Sequence, residues 1–216
     1  MRPMNVILAD IVVASGGAAT NPNNRNQLLS DWRDAVTPGV TSYTFSFDGL
    51  THSVILSQPF VFQTVFDVSV DFSWVVGDTR KMALMGSTAP ANWFYVIIDP
   101  AQGKVAFRLI GQIVEVHLSA LVTGMNTVRV TRDASNVVKL FVNSVATLSP
   151  IIQSGLAQLD GFAAWGNGSW GSDKFKGFMP RFSVDGVVHN INNKSLGANQ
   201  VGATIINYNE AGWVQI

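Results

Sequence analysis

An all-β, antiparallel sandwich is the fold class this sequence predicts, and three observations predict it. From Ser42 onward apolar residues recur at every second position. Short clusters of Gly, Asn and Asp punctuate these runs at regular intervals. The one convincing helical pattern lies before residue 40.

The alternation is read strand by strand. Tyr43, Phe45 and Phe47 alternate with Thr44 and Ser46; Val68, Val70, Phe72, Trp74 and Val76 alternate with Ser69, Asp71 and Ser73. The pattern returns in Val105, Phe107 and Leu109, then in Val114, Val116 and Leu118. Val128 and Val130 repeat it, as do Val138, Leu140 and Val142. Successive side chains of a strand point to opposite faces, so each run has one apolar and one wet face. Asp48-Gly49, Asp99-Pro100 with Gly103, Gly111, Gly124, Asp133 to Asn136, and Asn143 supply the turns. Segment 92–98 is apolar on both faces, which predicts a central strand.

The start of the chain reads differently. Ile7, Leu8, Ile11, Val12 and Val13 precede small residues, as in a signal peptide, but Asp10 interrupts the run and Arg2 alone supplies an early charge. The run is also far short of the ~20 apolar residues of a membrane span. An arm or edge strand is expected instead, with no membrane insertion. In residues 21–40 Asn24 can cap a helix, Gln27 stands in capping-box relation to it, and Pro38-Gly39 ends it. Leu28, Leu29 and Trp32 form its apolar face, continued by Ala35 and Val36, and are the expected partner-binding residues. No repeat or long linker follows. The expected organisation is therefore residues 1–40 as an arm and helix for assembly, and 41–216 as the sandwich.

Bulk composition bounds function. A chain of 216 residues can bury a full core. With 47% hydrophobic and 13% charged residues, disorder is excluded and a subunit packed against others, a homo-oligomer included, is favoured. The net charge of +0 and the scattered Lys and Arg argue against nucleic acid. Cysteine is absent, which removes disulfides and thiolate metal sites.

An enzyme is not expected. Glycoside hydrolysis needs two carboxylates flanking one bond, yet Glu115 and Glu210 are the only glutamates and neither has a carboxylate two residues away. Asp67 and Asp71 share a strand but stand ~13 Å apart along it, and read as polar residues of an exposed face. His52, His117 and His189 lack zinc spacing, no Gly-x-Ser-x-Gly elbow exists, and His117 with Glu115 reads as a surface pair. No cofactor is called for, although loop oxygens of Asp133, Asn136 and Asp160 leave calcium open; each also fits an ordinary turn.

The most suggestive surface chemistry is the stretch from Trp165 to Asp173. Trp165, Asn167, Trp170 and Asp173, with Trp93 elsewhere, combine rings on which a sugar can stack with amide and carboxylate groups that fix hydroxyls. The alternative is that the indoles plug the sandwich edge while the glycines let the loop turn.

Four segments together carry a resemblance. Ser42–Gly49 followed by Ser53–Leu56 resembles the opening strands of laminin G-like, concanavalin A-like domains. Asn126–Asp133 running into Val138–Asn143 is similar to their paired later strands, and Phe175–Val184 to their closing strand. The tail Gly202–Trp213 resembles the ending such domains carry in tailed-bacteriophage virion proteins. The resemblance covers about residues 40–216 and implies a jelly-roll sandwich. It further implies a virion component (tail, fibre, baseplate or capsid decoration) assembled in the host cytoplasm beside other virion proteins, with host surface polysaccharide as a candidate ligand. No calcium or sugar motif of the family carries over. A structural virion subunit is the expectation that the low charge and the arm favour; a host-glycan-binding module is the alternative that the aromatic loop favours.

Overall fold

The computed structural model describes residues 43–87, 94–163, 173–191, 199–200, 203–206 and 212–215. The chain divides into Met1–Thr41 and Ser42–Ile216, and everything described belongs to the second unit. The expected N-terminal helix, with Leu28, Leu29 and Trp32, lies outside the described residues.

In chain order the strands are β1 (Tyr43–Asp48), β2 (Ser53–Phe62), β3 (Phe66–Trp74), β4 (Met82–Gly86), β5 (Phe94–Asp99) and β6 (Lys104–Leu109). There follow β7 (Gln112–His117), β8 (Gly124–Arg132), β9 (Val137–Val142), β10 (Val145–Ala146), β11 (Ile151–Ile152) and β12 (Ala157–Phe162). The last are β13 (Lys176–Phe178), β14 (Arg181–Val184), β15 (Val187–Asn190), β16 (Asn199–Gln200), β17 (Ala203–Ile206) and β18 (Trp213–Gln215). One sheet runs β10-β9-β8-β3-β14-β15 with β11 also on β9; the other runs β16-β17-β2-β12-β4-β5-β6-β7. A three-stranded sheet, β13-β1-β18, accompanies them. The architecture is an antiparallel jelly-roll sandwich, as the alternation requires.

The turns form where the sequence places turn residues. Asp48 Oδ1 accepts hydrogen bonds from the backbone N–H groups of Leu50, Thr51 and His52, and Gly49 takes φ +75°. Burial alone would raise the Asp48 carboxyl pKa; these donors and the Thr51 hydroxyl outweigh it and hold the group well below the usual carboxylate range. Asp99 caps a single 3-10 turn, Pro100–Gln102, which Gly103 closes in the left-handed region. Asp133 Oδ1 accepts from Ser135 and Val137 N–H, and Asn136 supplies the positive φ of the β8–β9 turn.

The core lies where the apolar faces of the two large sheets meet. Phe66, Val68, Val70, Phe72 and Trp74 of β3 are buried in strict alternation with half-buried polar residues. Opposite them Phe94 is fully buried, its ring centroid 4.8 Å from that of Phe107 and 5.6 Å from that of Phe66. Each such ring contributes ~1.5–3 kcal/mol by leaving water. Strand β5 is buried at all six positions, matching its expected central place, because Tyr95 and Ile97 join Ala83 and Ala106 in a second cluster on the other face.

Among the described residues the largest fully buried side chain belongs to Arg132. Its guanidinium donates to the carbonyls of Thr64, Gly155 (2.7 Å) and Phe62 (3.2 Å), and lies 5.0 Å over the Phe66 ring. Burial lowers its pKa, and main-chain carbonyls stand in for a counter-charge.

Three expectations need correction. Leu118 does not extend the alternation of β7, which ends at His117, but opens a 3-10 turn, Leu118–Ala120. Val76 does not extend the alternation of β3: the strand ends at Trp74, and Val76 is exposed in the following turn. Phe175–Val184 is not one closing strand but two, β13 and β14, because Met179-Pro180 interrupts pairing and proline has no N–H to donate. Gly177 in β13 takes φ +132°, and a Cβ there would stand 2.5 Å from Ser73 Oγ, so this approach to β3 admits only glycine.

Candidate functional site: the polar face of the seven-stranded sheet

The strands that bury valine and phenylalanine inward present their other positions outward. On β3 these are Asp67, Ser69, Asp71 and Ser73; on β8, Thr127, Arg129 and Thr131; on β14, Arg181 and Ser183. Antiparallel register sets them in rows. Asn190, Arg181, Asp71 and Thr127 lie side by side across β15, β14, β3 and β8. With neighbouring strands ~4.8 Å apart, this row spans ~14 Å. The next row holds Val188, Ser183, Ser69, Arg129 and Phe141.

The arginines on this face are matched with aspartates. Arg129 makes a two-pronged contact with Asp67, Nε to Oδ1 at 2.7 Å and Nη2 to Oδ2 at 2.5 Å, and its Cζ lies 5.7 Å from the Phe141 ring centroid. The Asp67 carboxylate raises the Arg129 pKa more than burial lowers it. Arg181 Nε donates to Asp71 Oδ2, while the Thr127 hydroxyl donates to Asp71 Oδ1 at 2.6 Å. Ser69 and Ser183 hydroxyls meet at 3.0 Å. Exposed ion pairs of this kind stabilise a fold by only ~0–1 kcal/mol each. The Asp71 side chain is the more enclosed, 16% exposed against 58% for Arg181.

A cleft of about 380 Å³ opens beside the first row, lined by Asp71, Thr127, Arg181, Asn190, Met125 and Pro180, with Asn126 beneath. Asn126 is committed to structure: its amide donates to the Val122 and Gly124 carbonyls and its Oδ1 accepts from Val122 N–H. The other polar groups converge on the cleft while Met125 and Pro180 give it apolar surface, the combination that small-molecule sites use.

A larger groove, about 590 Å³, follows β7 and is walled by Ile113, Val145 and Leu148 with Glu115 and His117. Its two titratable groups are already engaged: Glu115 pairs with Lys104, and His117 Nδ1 accepts from Ser119 N–H. Glu115 and His117 do share one face, as their spacing requires.

Of the sequence-predicted ligand residues, Trp93, Trp165, Asn167 and Trp170 lie outside the described residues. Asp173 is described: its carboxylate is 3.2 Å from Lys81 Nζ, and its carbonyl accepts from Ala83 N–H at the start of β4. Asp133 and Asn136 share the β8–β9 turn, whereas Asp160 is buried in β12 of the other sheet with Gln158 on Oδ2. Among the described residues no group of three His, Cys, Asp or Glu is placed to hold a metal. No described helix is long and apolar enough to cross a membrane. Sequence reasoning passed over Thr127, Arg181 and Asn190; their outward positions in alternating strands were a signal, but their adjacency to Asp71 was not.

No protein-family model matches the sequence, and no curated protein matches it. Solved structures do match. The mouse laminin α1 chain, domains LG4–5, superposes with a TM-score of 0.52 at 13% identity, covering 78% of this chain and 46% of that one. The fold is the laminin G-like, concanavalin A-like sandwich. The chain spans less than half the length of that laminin structure, and at such identity the likeness is one of fold. The Ruminococcus gnavus IT-sialidase CBM40 bound to α2,6-sialyllactose is also similar, at a TM-score of 0.45 and 12% identity over 66% of this chain and 90% of that one. So is a heptameric SAP-like pentraxin from Limulus polyphemus, at 0.45 and 7% over 67% and 75%.

Proposed function

We propose that this laminin G-like sandwich is a carbohydrate-binding module without catalytic activity. One observation carries the reading: the row Asn190–Arg181–Asp71–Thr127 lines a cleft on an otherwise solvated sheet face. Sugar hydroxyls donate and accept at once, and this row offers an amide, guanidinium N–H groups, carboxylate lone pairs and a hydroxyl on four adjacent strands. Met125 and Pro180 supply apolar surface for the C–H face of a ring. The aromatic segment with Trp165, Asn167, Trp170 and Asp173, and Trp93, is proposed as a second contact.

The same row speaks against hydrolysis. Asp71 is tied to an arginine and a hydroxyl, and Asp67 four residues away to another arginine. The two carboxylates stand four residues apart on one strand, each in contact with its own arginine, and do not flank a common bond. The setting we propose, a bacteriophage virion with residues 1–40 anchoring the module through Leu28, Leu29 and Trp32, rests on the sequence resemblance alone.

The test is binding of the full chain to a panel of immobilised glycans, with Asn190→Ala and Trp170→Ala as variants. Parent binding that Asn190→Ala weakens tenfold or more (~1.4 kcal/mol) at unchanged melting temperature supports the cleft. Absence of binding to every glycan by the parent overturns the function.

A further inference from the structure

Resting on that reading, we infer that the glycan held on this face is uncharged. The argument is charge accounting on the sheet. Each arginine is matched by an aspartate: Arg129 by Asp67 through two contacts, Arg181 by Asp71 through Nε. Lys139 is exposed one row further on, in the same row as Thr131 and Asp67, and Asp185 at the β14–β15 turn adds a carboxylate whose Oδ1 accepts from Asp67 N–H. Among the described residues the cations and carboxylates named here are equal in number, and each arginine has its aspartate in direct contact.

An acidic sugar needs the opposite arrangement. A carboxylate or sulfate seeks an arginine whose fork is open for two parallel hydrogen bonds. The Arg129 fork is already filled by Asp67 on its Nε and Nη2 side. At the cleft, an anion approaching Arg181 would meet the Asp71 carboxylate within one strand spacing, where like charges repel. A neutral hydroxyl meets no such obstacle. Asp71 Oδ1 accepts from the Thr127 hydroxyl and Oδ2 from Arg181 Nε, and a carboxylate oxygen has a second lone pair to offer. Vicinal hydroxyls can then accept from the terminal N–H groups of Arg181 and donate to Asp71. The cleft, about 380 Å³, sits at the small end of ligand sites and suits one or two rings rather than a long chain.

The experiment measures binding of the full chain to neutral probes (dextran, mannan and N-acetylglucosamine oligomers) and to acidic ones (heparin, polysialic acid and alginate), each at low and high sodium chloride. The expected result is binding to at least one neutral probe. Its affinity should change less than about twofold across a salt range that strongly screens exposed charges, and it should be weakened in Asn190→Ala and Thr127→Val. Asp71→Asn, which frees Arg181 of its counter-charge, should gain salt-sensitive heparin binding absent from the parent. Salt-sensitive binding to acidic probes alone overturns the inference and leaves the carbohydrate reading standing. Neutral binding unaltered by both row variants overturns the placement on this face. Failure of every probe in both classes overturns the carbohydrate reading itself.

Discussion

Replacing Arg132 with methionine removes a cation that ties three segments of the sandwich together. The guanidinium joins β8 to the end of β2 through the Phe62 carbonyl, to the β2–β3 turn through Thr64, and to the loop before β12 through Gly155. Methionine of similar length refills much of the volume, so the cavity contribution is small. The carbonyl of buried Phe62 then loses its donor at ~1–3 kcal/mol, and those of the exposed Thr64 and Gly155, which water can reach, lose less, a gross loss of ~2–6 kcal/mol. Releasing the buried charge offsets part of this, which leaves a net destabilisation of about 2–4 kcal/mol. That is a large share of the 5–15 kcal/mol typical of a domain. Urea unfolding followed by the fluorescence of the six tryptophans measures it, with an unchanged slope showing that the transition is the same. Arg132→Lys should fall between the two, because an ammonium lacks the planar fork that reaches carbonyls on both sides. A methionine variant within about 1 kcal/mol of the parent would refute the clamp, since water would then satisfy the carbonyls equally well.

Further expectations can be checked on the same material. Asp48→Asn should destabilise the folded chain at neutral pH; because the folded carboxyl is held below its unfolded value, the difference should be full above about pH 4 and shrink only as pH falls toward the low folded pKa. Gly177→Ala should cost several kcal/mol, since it adds a strained φ of +132° to a 2.5 Å clash with Ser73, and thermal melting reads it directly. Phe94→Ala should cost about 3–5 kcal/mol by opening a cavity among Phe62, Phe66 and Phe107. Incubation with bacterial polysaccharides should release no reducing ends, and turnover abolished by Glu115→Gln would overturn the non-enzymatic reading.

Much of the sandwich was legible because its rules are local. A strand with one face in the core must alternate, so the runs in β3, β6, β8 and β9 announced both their conformation and their inward residues. Turn chemistry is equally local: Asp48, Asn136 and Gly103 sit where their neighbours alone require a cap or a left-handed residue. Val76 shows the limit of that signal, since a valine beyond the last ladder bond continues the pattern without continuing the strand. The aromatic segment drew notice because tryptophan beside asparagine is conspicuous in sequence.

The cleft was not legible, for a physical reason. Asp71 and Thr127 are 56 positions apart and Asp71 and Arg181 are 110 apart, and only the order β14-β3-β8 makes them neighbours. Pairing between distant strands is chosen by burial of their inward faces, which leaves the outward residues to meet whichever partners the core selects. The pairing of Asp67 with Arg129 arises in the same way. Arg132 is the converse case: by sequence it is one more strand cation, and only the closure of β2 and the 153–155 loop over it turns it into a buried clamp. Local alternation determined which residues face water; the tertiary fold decided which of them meet, and so where the cleft lies.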